Sequence, residues 1–199
     1  MKRVVLLTAA VSLLVGFGAC YFFAIGTMVF HAKTLMNEVY HSHATLHVRC
    51  LAKKYSWHFH YSGADGKFGD TNLSLMTAEN PIGLNLYDPR SKDDIVSPEL
   101  VLPCGRPVEL ITSSADVIHS LGEFHDKMEI DAFPSLEERK TFQPPPEPAS
   151  GTLRCVQLCG PGFKDHHAPY RYIDNAAFTA WLKAQRPMAE QIAGVSGTN

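Results

Sequence analysis

The sequence predicts one mainly β domain, a sandwich or barrel, carried on a single N-terminal transmembrane helix and closed by a short helix near the C-terminus. Three observations predict it. Val4–Phe30 is an apolar run of 27 residues without a charge. Beyond it, short strand-like segments recur at regular intervals between turn-rich stretches. Near the end, a segment that begins with a capping residue carries apolar side chains at helical spacing.

A chain of 199 residues allows one folded domain plus an appendage. Its 45% hydrophobic and 19% charged content excludes a disordered chain, and 14 Gly with 13 Pro set no low-complexity period. The net charge is −2 with no basic block, so the electrostatic footprint of a nucleic-acid binder is missing and nucleic acid is not an expected partner. The first thirty residues contain Lys2 and Arg3 and no acid, which leaves 16 basic against 20 acidic residues for the remainder. Such a mildly acidic domain steers cationic partners weakly and in a salt-dependent way.

The apolar run VVLLTAAVSLLVGFGACYFFAIGTMVF exceeds the roughly 20 residues that span a bilayer. A secretory signal has a shorter apolar core of about 7–15 residues. Cys20 faintly resembles a lipoprotein acceptor, but ten more apolar residues follow it. Residues 1–32 are therefore expected to be an uncleaved anchor. Lys2 and Arg3 keep the short terminus in the cytoplasm, giving a single-pass protein of the inner membrane with its soluble part on the periplasmic side. Residues 33–52, with His41, His43 and His47, read as a solvated juxtamembrane linker, and 53–186 as the folded domain.

Within that domain Tyr55, Trp57, Phe59 and Tyr61 alternate with smaller or polar residues, the period of a half-buried strand; His58 and His60 take the other, solvated face. Residues 62–98 are rich in Gly, Asp, Asn and Pro and read as an inserted loop. Asp65 and Asp70 there suit a plain turn better than a calcium loop. Strands are predicted at 100–102, 107–113, 128–133, 153–157 and 170–173, with the stiff QPPPEPAS stretch at 143–150 between two of them. Asp174 or Asn175 caps a helix in which Phe178, Trp181 and Leu182 share a face; Pro187 ends it and 187–199 is a tail.

The sharpest chemical signal is the run CVQLCG at 155–160, followed by His166 and His167, with His119 upstream in SADVIHS. Two thiols four residues apart, with imidazoles from the same loop and from another strand, make a soft-donor set suited to copper or zinc. Spacing alone does not choose between those metals, and a Cys155–Cys159 disulfide with surface histidines is the competing reading in an exported domain.

At this point the sequence resembles subunit II of the haem–copper cytochrome c oxidases. SADVIHS is similar to that family's first-His segment, and Asp131-Ala-Phe-Pro134 follows at the family's distance. RCVQLCG is similar to its C-x-E/Q-x-C-G ligand loop. The aromatic strand at 55–61 is similar to its W-x-W-x-Y-x-Y strand, and 170–185 to its closing strand and F-x-x-W-L helix. Five matches occur in order. The resemblance implies a cupredoxin-like Greek-key fold and a binuclear copper centre, CuA, held by His119, Cys155, Cys159 and a later His, with Gln157 ligating through its carbonyl. The family's His stands four residues after the second Cys and its Met three later, whereas position 163 here is Phe. Aligning Tyr170-Arg171 with the family's Met-Arg makes His167 the expected ligand ahead of His166, lengthens the loop by four residues, and removes the axial thioether; Met128 could restore it only by folding back. Gln157 lacks the charge of the Glu that reaches a Mg site in the family, which weakens the case for Mg.

The resemblance further implies an electron-accepting oxidase subunit that receives electrons from cytochrome c through Tyr55 or Trp57 and passes them to the haem-bearing subunit I, with no oxygen chemistry in this chain alone. Copper chemistry leaves two rivals: a mononuclear cupredoxin or copper-carrier module, and a metal-free structural oxidase subunit. Cys50 and Cys104 match no ligand position and can pair in an oxidising compartment.

Overall fold

The computed structural model describes residues 16, 18, 20–31, 45–123 and 128–196. The chain divides after residue 44 into two compact units. In the first, residues 20–31 are helical, with exposed Tyr21, Phe22, Phe23 and Phe30. Most of the predicted span at 4–30 lies outside the described residues, as do His41 and His43; among the described residues no helix is long and apolar enough to cross a membrane.

The second unit is a sandwich of two five-stranded sheets. Its strands are β1 (Leu46–Lys53), β2 (Ser56–Tyr61), β3 (Ile95–Ser97), β4 (Leu100–Pro103), β5 (Val108–Ser114), β6 (His119–Glu123), β7 (Met128–Ala132), β8 (Glu138–Phe142), β9 (Ala149–Cys155) and β10 (His167–Ile173). One sheet runs β3-β2-β1-β5-β8 and the other β4-β10-β9-β6-β7. The pairs β1/β5 and β4/β10 are parallel and the remaining pairs antiparallel.

Register turns the alternation in the sequence into a core. Antiparallel pairing sets Cys50 against Phe59 and Ala52 against Trp57, while the parallel pair sets Val48 against Leu110 and Cys50 against Thr112. One face of the sheet thus presents buried Val48, Cys50, Ala52, Trp57, Phe59, Tyr61 and Leu110. The second sheet answers with Leu100, Leu102, Leu121, Ile130, Leu153, Tyr170 and Tyr172. Burying each such side chain contributes about 1.5–3 kcal/mol before entropy is counted. A polar link crosses the sandwich as well, since the Tyr61 hydroxyl donates to the Val101 carbonyl at 3.1 Å and accepts from its N–H at 2.8 Å.

Several expectations change. Residues 46–52 are not linker but strand β1, paired on both sides in the middle of its sheet. His60 is not solvated: it is 2% exposed and bonded through Nε2 to the buried Asp94 carboxylate at 2.8 Å. The stretch 62–98 is organised by its acids. Asp93 accepts the N–H groups of Ala64 and Asp65, Asp94 that of Gly69, and Asp88 that of Asp70. Asp65 closes its own turn on the Lys67 N–H and Asp70 pairs with Arg90, the plain-turn reading. Helix α1 (Asn175–Ala184) starts after Asp174 as expected. The tail beyond Pro187 instead forms a second helix, α2 (Met188–Ser196), whose Met188 is buried against Ile82 and Leu84.

Candidate metal centre

His119 opens β6 and Cys155 closes β9; β6 pairs with both β7 and β9, so a ligand on one strand and a ligand on the next meet at the same end of the sheet. The Val156 N–H bonds the Ser120 carbonyl at 2.9 Å, and the Cys155 N–H bonds the His166 carbonyl at 2.9 Å, which closes the loop between its two ends. Within the loop, bonds from Phe163 to Gly160, Asp165 to Gly162 and His166 to Phe163 wind the extra residues into a single 3-10 turn. That coil brings His166 back over the cysteines.

The result is a cluster of four ligand atoms, from His119, Cys155, Cys159 and His166, all within 4.8 Å of one another and all buried. The two sulfurs are 3.7 Å apart; His119 Nδ1 stands 3.8 Å from Cys155 Sγ and His166 Nδ1 stands 3.8 Å from Cys159 Sγ. At this separation the two cysteines are not joined as the competing disulfide. The Gln157 carbonyl faces the cluster and accepts from the Cys155 thiol at 3.2 Å, while its side chain is exposed.

His166, not His167, completes the set. His167 begins β10 on its exposed side and is not brought to the cluster, because alternation along the strand turns it outward where His166, in the turn before it, points in. Neither Met128 nor Tyr170, the residue aligned with the family's Met, reaches the site. Met128 pairs with Glu123 at the end of the β6/β7 hairpin opposite His119, and Tyr170 lies on the inner face of β10, its ring against Gly151. Cys50 and Cys104 are both free and buried, outside the cluster.

The surroundings polarise the set. Burial raises the Asp116 carboxyl, but hydrogen bonds from the Lys54 N–H, His119 and the Val117 N–H outweigh it and hold the group below its usual range. Asp116 Oδ1 grips His119 Nε2 at 2.8 Å, which leaves Nδ1 aimed at Cys155. In the sequence the one signal for this carboxylate is its position three residues before His119. Burial lowers His166 to about 4, with neighbouring His119 adding to the effect, so its imidazole is a neutral donor near pH 7. Burial and the adjacent Cys155 thiol push Cys159 up to about 11.

Aromatic packing seals the cluster. Trp57, 2% exposed, stacks on His166 with centroids 4.4 Å apart and meets His119 edge-on at 5.9 Å. Tyr55, partly exposed, meets His166 at 6.1 Å. Its ring occupies the space where side chains on Gly160 and Gly162 would sit, at 2.8 and 2.7 Å from the added carbon; Gly160, at φ 141°, also holds a backbone conformation costly for other residues. Exposed Ile118, Val156, Leu158 and Phe163 flank the ligands.

A metal bound by sulfur at about 2.3 Å and nitrogen at about 2.0 Å needs ligand atoms about 3.5–3.8 Å apart at tetrahedral angles. The S–S separation of 3.7 Å and the two S–N separations of 3.8 Å fit, the whole set lies within 4.8 Å, and the thiolate–imidazole donor set is chemically that of copper or zinc.

The fold and site together define a class: a β-sandwich domain with a buried centre of two thiols and two imidazoles at the end of one sheet. No family model matches the chain. It is 32% identical over 158 residues to the alternative cytochrome c oxidase subunit 2 of Bradyrhizobium diazoefficiens, a match covering 76% of this chain. The chain is a divergent member of the cytochrome c oxidase subunit II family. It spans about half, 54%, of the length of that relative. Among solved structures it is similar to the periplasmic domain of subunit II of cytochrome oxidase of Bradyrhizobium japonicum, at 20% identity and a TM-score of 0.49, covering 69% of this chain and 91% of that one. A chain of a heme-copper terminal oxidase dimer matches at 17% identity and a TM-score of 0.42, covering 87% of this chain and all of that one.

Proposed function

We propose that the chain is the electron-accepting subunit of a haem–copper cytochrome c oxidase, with a cupredoxin-like domain holding a binuclear copper centre and a membrane anchor at residues 1–32 that places the domain on the periplasmic side. The observation that carries this reading is the buried cluster of two free thiols and two imidazoles within 4.8 Å. When bound, copper held by His119, Cys155, Cys159 and His166 would supply one-electron chemistry.

The chain's own residues prepare that chemistry. Cys155 and Cys159 lie close enough to share metal ions between them, and His119 and His166 each address a different sulfur. Gln157 offers a carbonyl. Asp116 fixes the tautomer of His119, as carboxylates do for metal-binding histidines. Trp57 excludes water from both imidazoles, and Tyr55 reaches from the surface to His166. The exposed Ile118, Val156 and Leu158 give a docking partner an apolar contact beside the ligands. A cytochrome c is the donor in this proposal and a haem-bearing subunit the acceptor; oxygen reduction belongs to the latter.

Copper stoichiometry with electron paramagnetic resonance tests the reading, on the chain loaded with copper after its thiols have been reduced and then held in the oxidised state. Two coppers per chain sharing one spin is the expected result. One copper per chain identifies a mononuclear cupredoxin or carrier, and none, with the two sulfurs bonded to each other, a metal-free structural subunit; either overturns the proposal.

A further inference from the structure

The outer face of the first sheet, opposite the packed core, carries a cavity of about 230 Å3. Pairing sets His60, Arg49 and Ile111 side by side across β2, β1 and β5 as its floor. Ile82, from the long loop, and Leu136, from the turn between β7 and β8, wall it. Arg49 is the unusual member. Its guanidinium lies 4.6 Å over the Phe68 ring, its Nε is buried without a hydrogen-bond partner, and it joins none of the ion pairs among the described residues that occupy Arg90, Arg139 and Arg171.

A guanidinium remains charged and offers five donors. Holding it half-buried with its Nε unpaired costs free energy that an anion would offset. The local acids do not supply one: Asp94 is bonded to His60, and Glu137 at the rim is bonded to Arg139 at 2.9 Å. The remaining lining mixes aliphatic Leu51, Leu73, Ile82, Ile111 and Leu136 with hydroxyl-bearing Thr71 and serines, and the volume admits only a small molecule. The stacking on Phe68 and the Asp94 clamp on neighbouring His60 hold the charge in place beforehand, so little order is lost on binding.

We propose that this cavity binds a small organic monocarboxylate, its carboxylate on Arg49 and its hydrocarbon body against Ile82, Ile111 and Leu136. The inference does not rest on the metal centre or on the electron-transfer reading.

The test is calorimetric titration of the full chain with hexanoate, alongside nitrogen-15 NMR of the Arg49 Nε–H resonance. Saturable one-to-one binding that shifts this resonance is expected. Acetate, which lacks the body, should bind at least tenfold more weakly; hexan-1-ol and hexylamine, which lack the carboxylate, should do likewise. Arg49→Gln should weaken hexanoate at least tenfold. Because that change also removes the contact with Phe68, Leu136→Asp provides an independent variant: position 136 is exposed at the rim, so the fold tolerates it, while the added charge should repel the ligand several-fold. Absence of saturable hexanoate binding, equal binding of hexan-1-ol, or undiminished binding to both variants would overturn the proposal.

Discussion

At the scale of single residues, His166 and His167 make the sharpest comparison. Sequence alignment on Tyr170-Arg171 favours His167, yet the 3-10 turn at Phe163–Asp165 delivers His166 to Cys159 and leaves His167 exposed. His166→Ala should therefore abolish stoichiometric copper binding, whereas His167→Ala should retain it, as read by metal content and the visible spectrum. Protons enter the same balance. The Cys159 thiol must lose its proton to bind metal, and its pKa is pushed up to about 11. Across pH 6–8 the thiol is protonated, so apparent affinity should rise about tenfold per pH unit through this group alone. His166, lowered to about 4, is already neutral there and adds no slope. A competition titration against a chelator at several pH values measures this; an affinity independent of pH would show that the thiol is not a ligand. Asp116→Ala should leave the cluster assembled but weaken metal binding about 10–100-fold, since His119 loses the group that orients it.

At the scale of elements, what the sequence made legible follows apolar contrast. The strand at 55–61 and those at 100–102, 107–113 and 128–133 stand out because large buried side chains alternate or run together, and all appear within a residue or two. Strand β8 has no such contrast, since Glu138–Phe142 is an edge strand with no buried residue. Strand β1 hides for another reason: its inward residues are the modest Val48, Cys50 and Ala52, while His47 and Arg49 on the other face suggest a polar linker. The ligand types were legible because soft donors are rare and grouped, but the choice between adjacent histidines depends on how a loop coils, which no periodicity reports. The acid-rich segment 62–98 looked structureless because its order comes from carboxylates bonding backbone N–H groups. Asp94 matters most, being wholly buried and bonded to both His60 and the Gly69 N–H at 2.8 Å. Asp94→Ala strands both groups and should cost about 3 kcal/mol in urea unfolding. An unchanged midpoint would mean the segment is not held by this residue.

At the scale of the whole molecule, the two sheets have different tasks. The second sheet and its β9–β10 loop supply all four buried donors, and the first sheet covers them with Trp57 and the adjoining Tyr55. The metal geometry therefore depends on how firmly the sheets are held together, and the Tyr61 hydroxyl, bonded twice to Val101, ties one to the other. Tyr61→Phe keeps the ring and its packing on Trp181 but leaves a buried N–H and carbonyl of β4 without that partner. The expected cost is about 1–3 kcal/mol in global stability. Its more informative consequence concerns the site: because Tyr61 and Trp57 lie on one face of β2, loosening the sheets should free the indole stacked on His166 before any ligand is lost. Copper content of Tyr61→Phe should then remain at the parent value while the copper spectrum broadens and hydrogen exchange quickens in β2 and β4. If stability falls with the spectrum and exchange unchanged, the site is braced by its own loop alone and the inter-sheet bond serves only the fold.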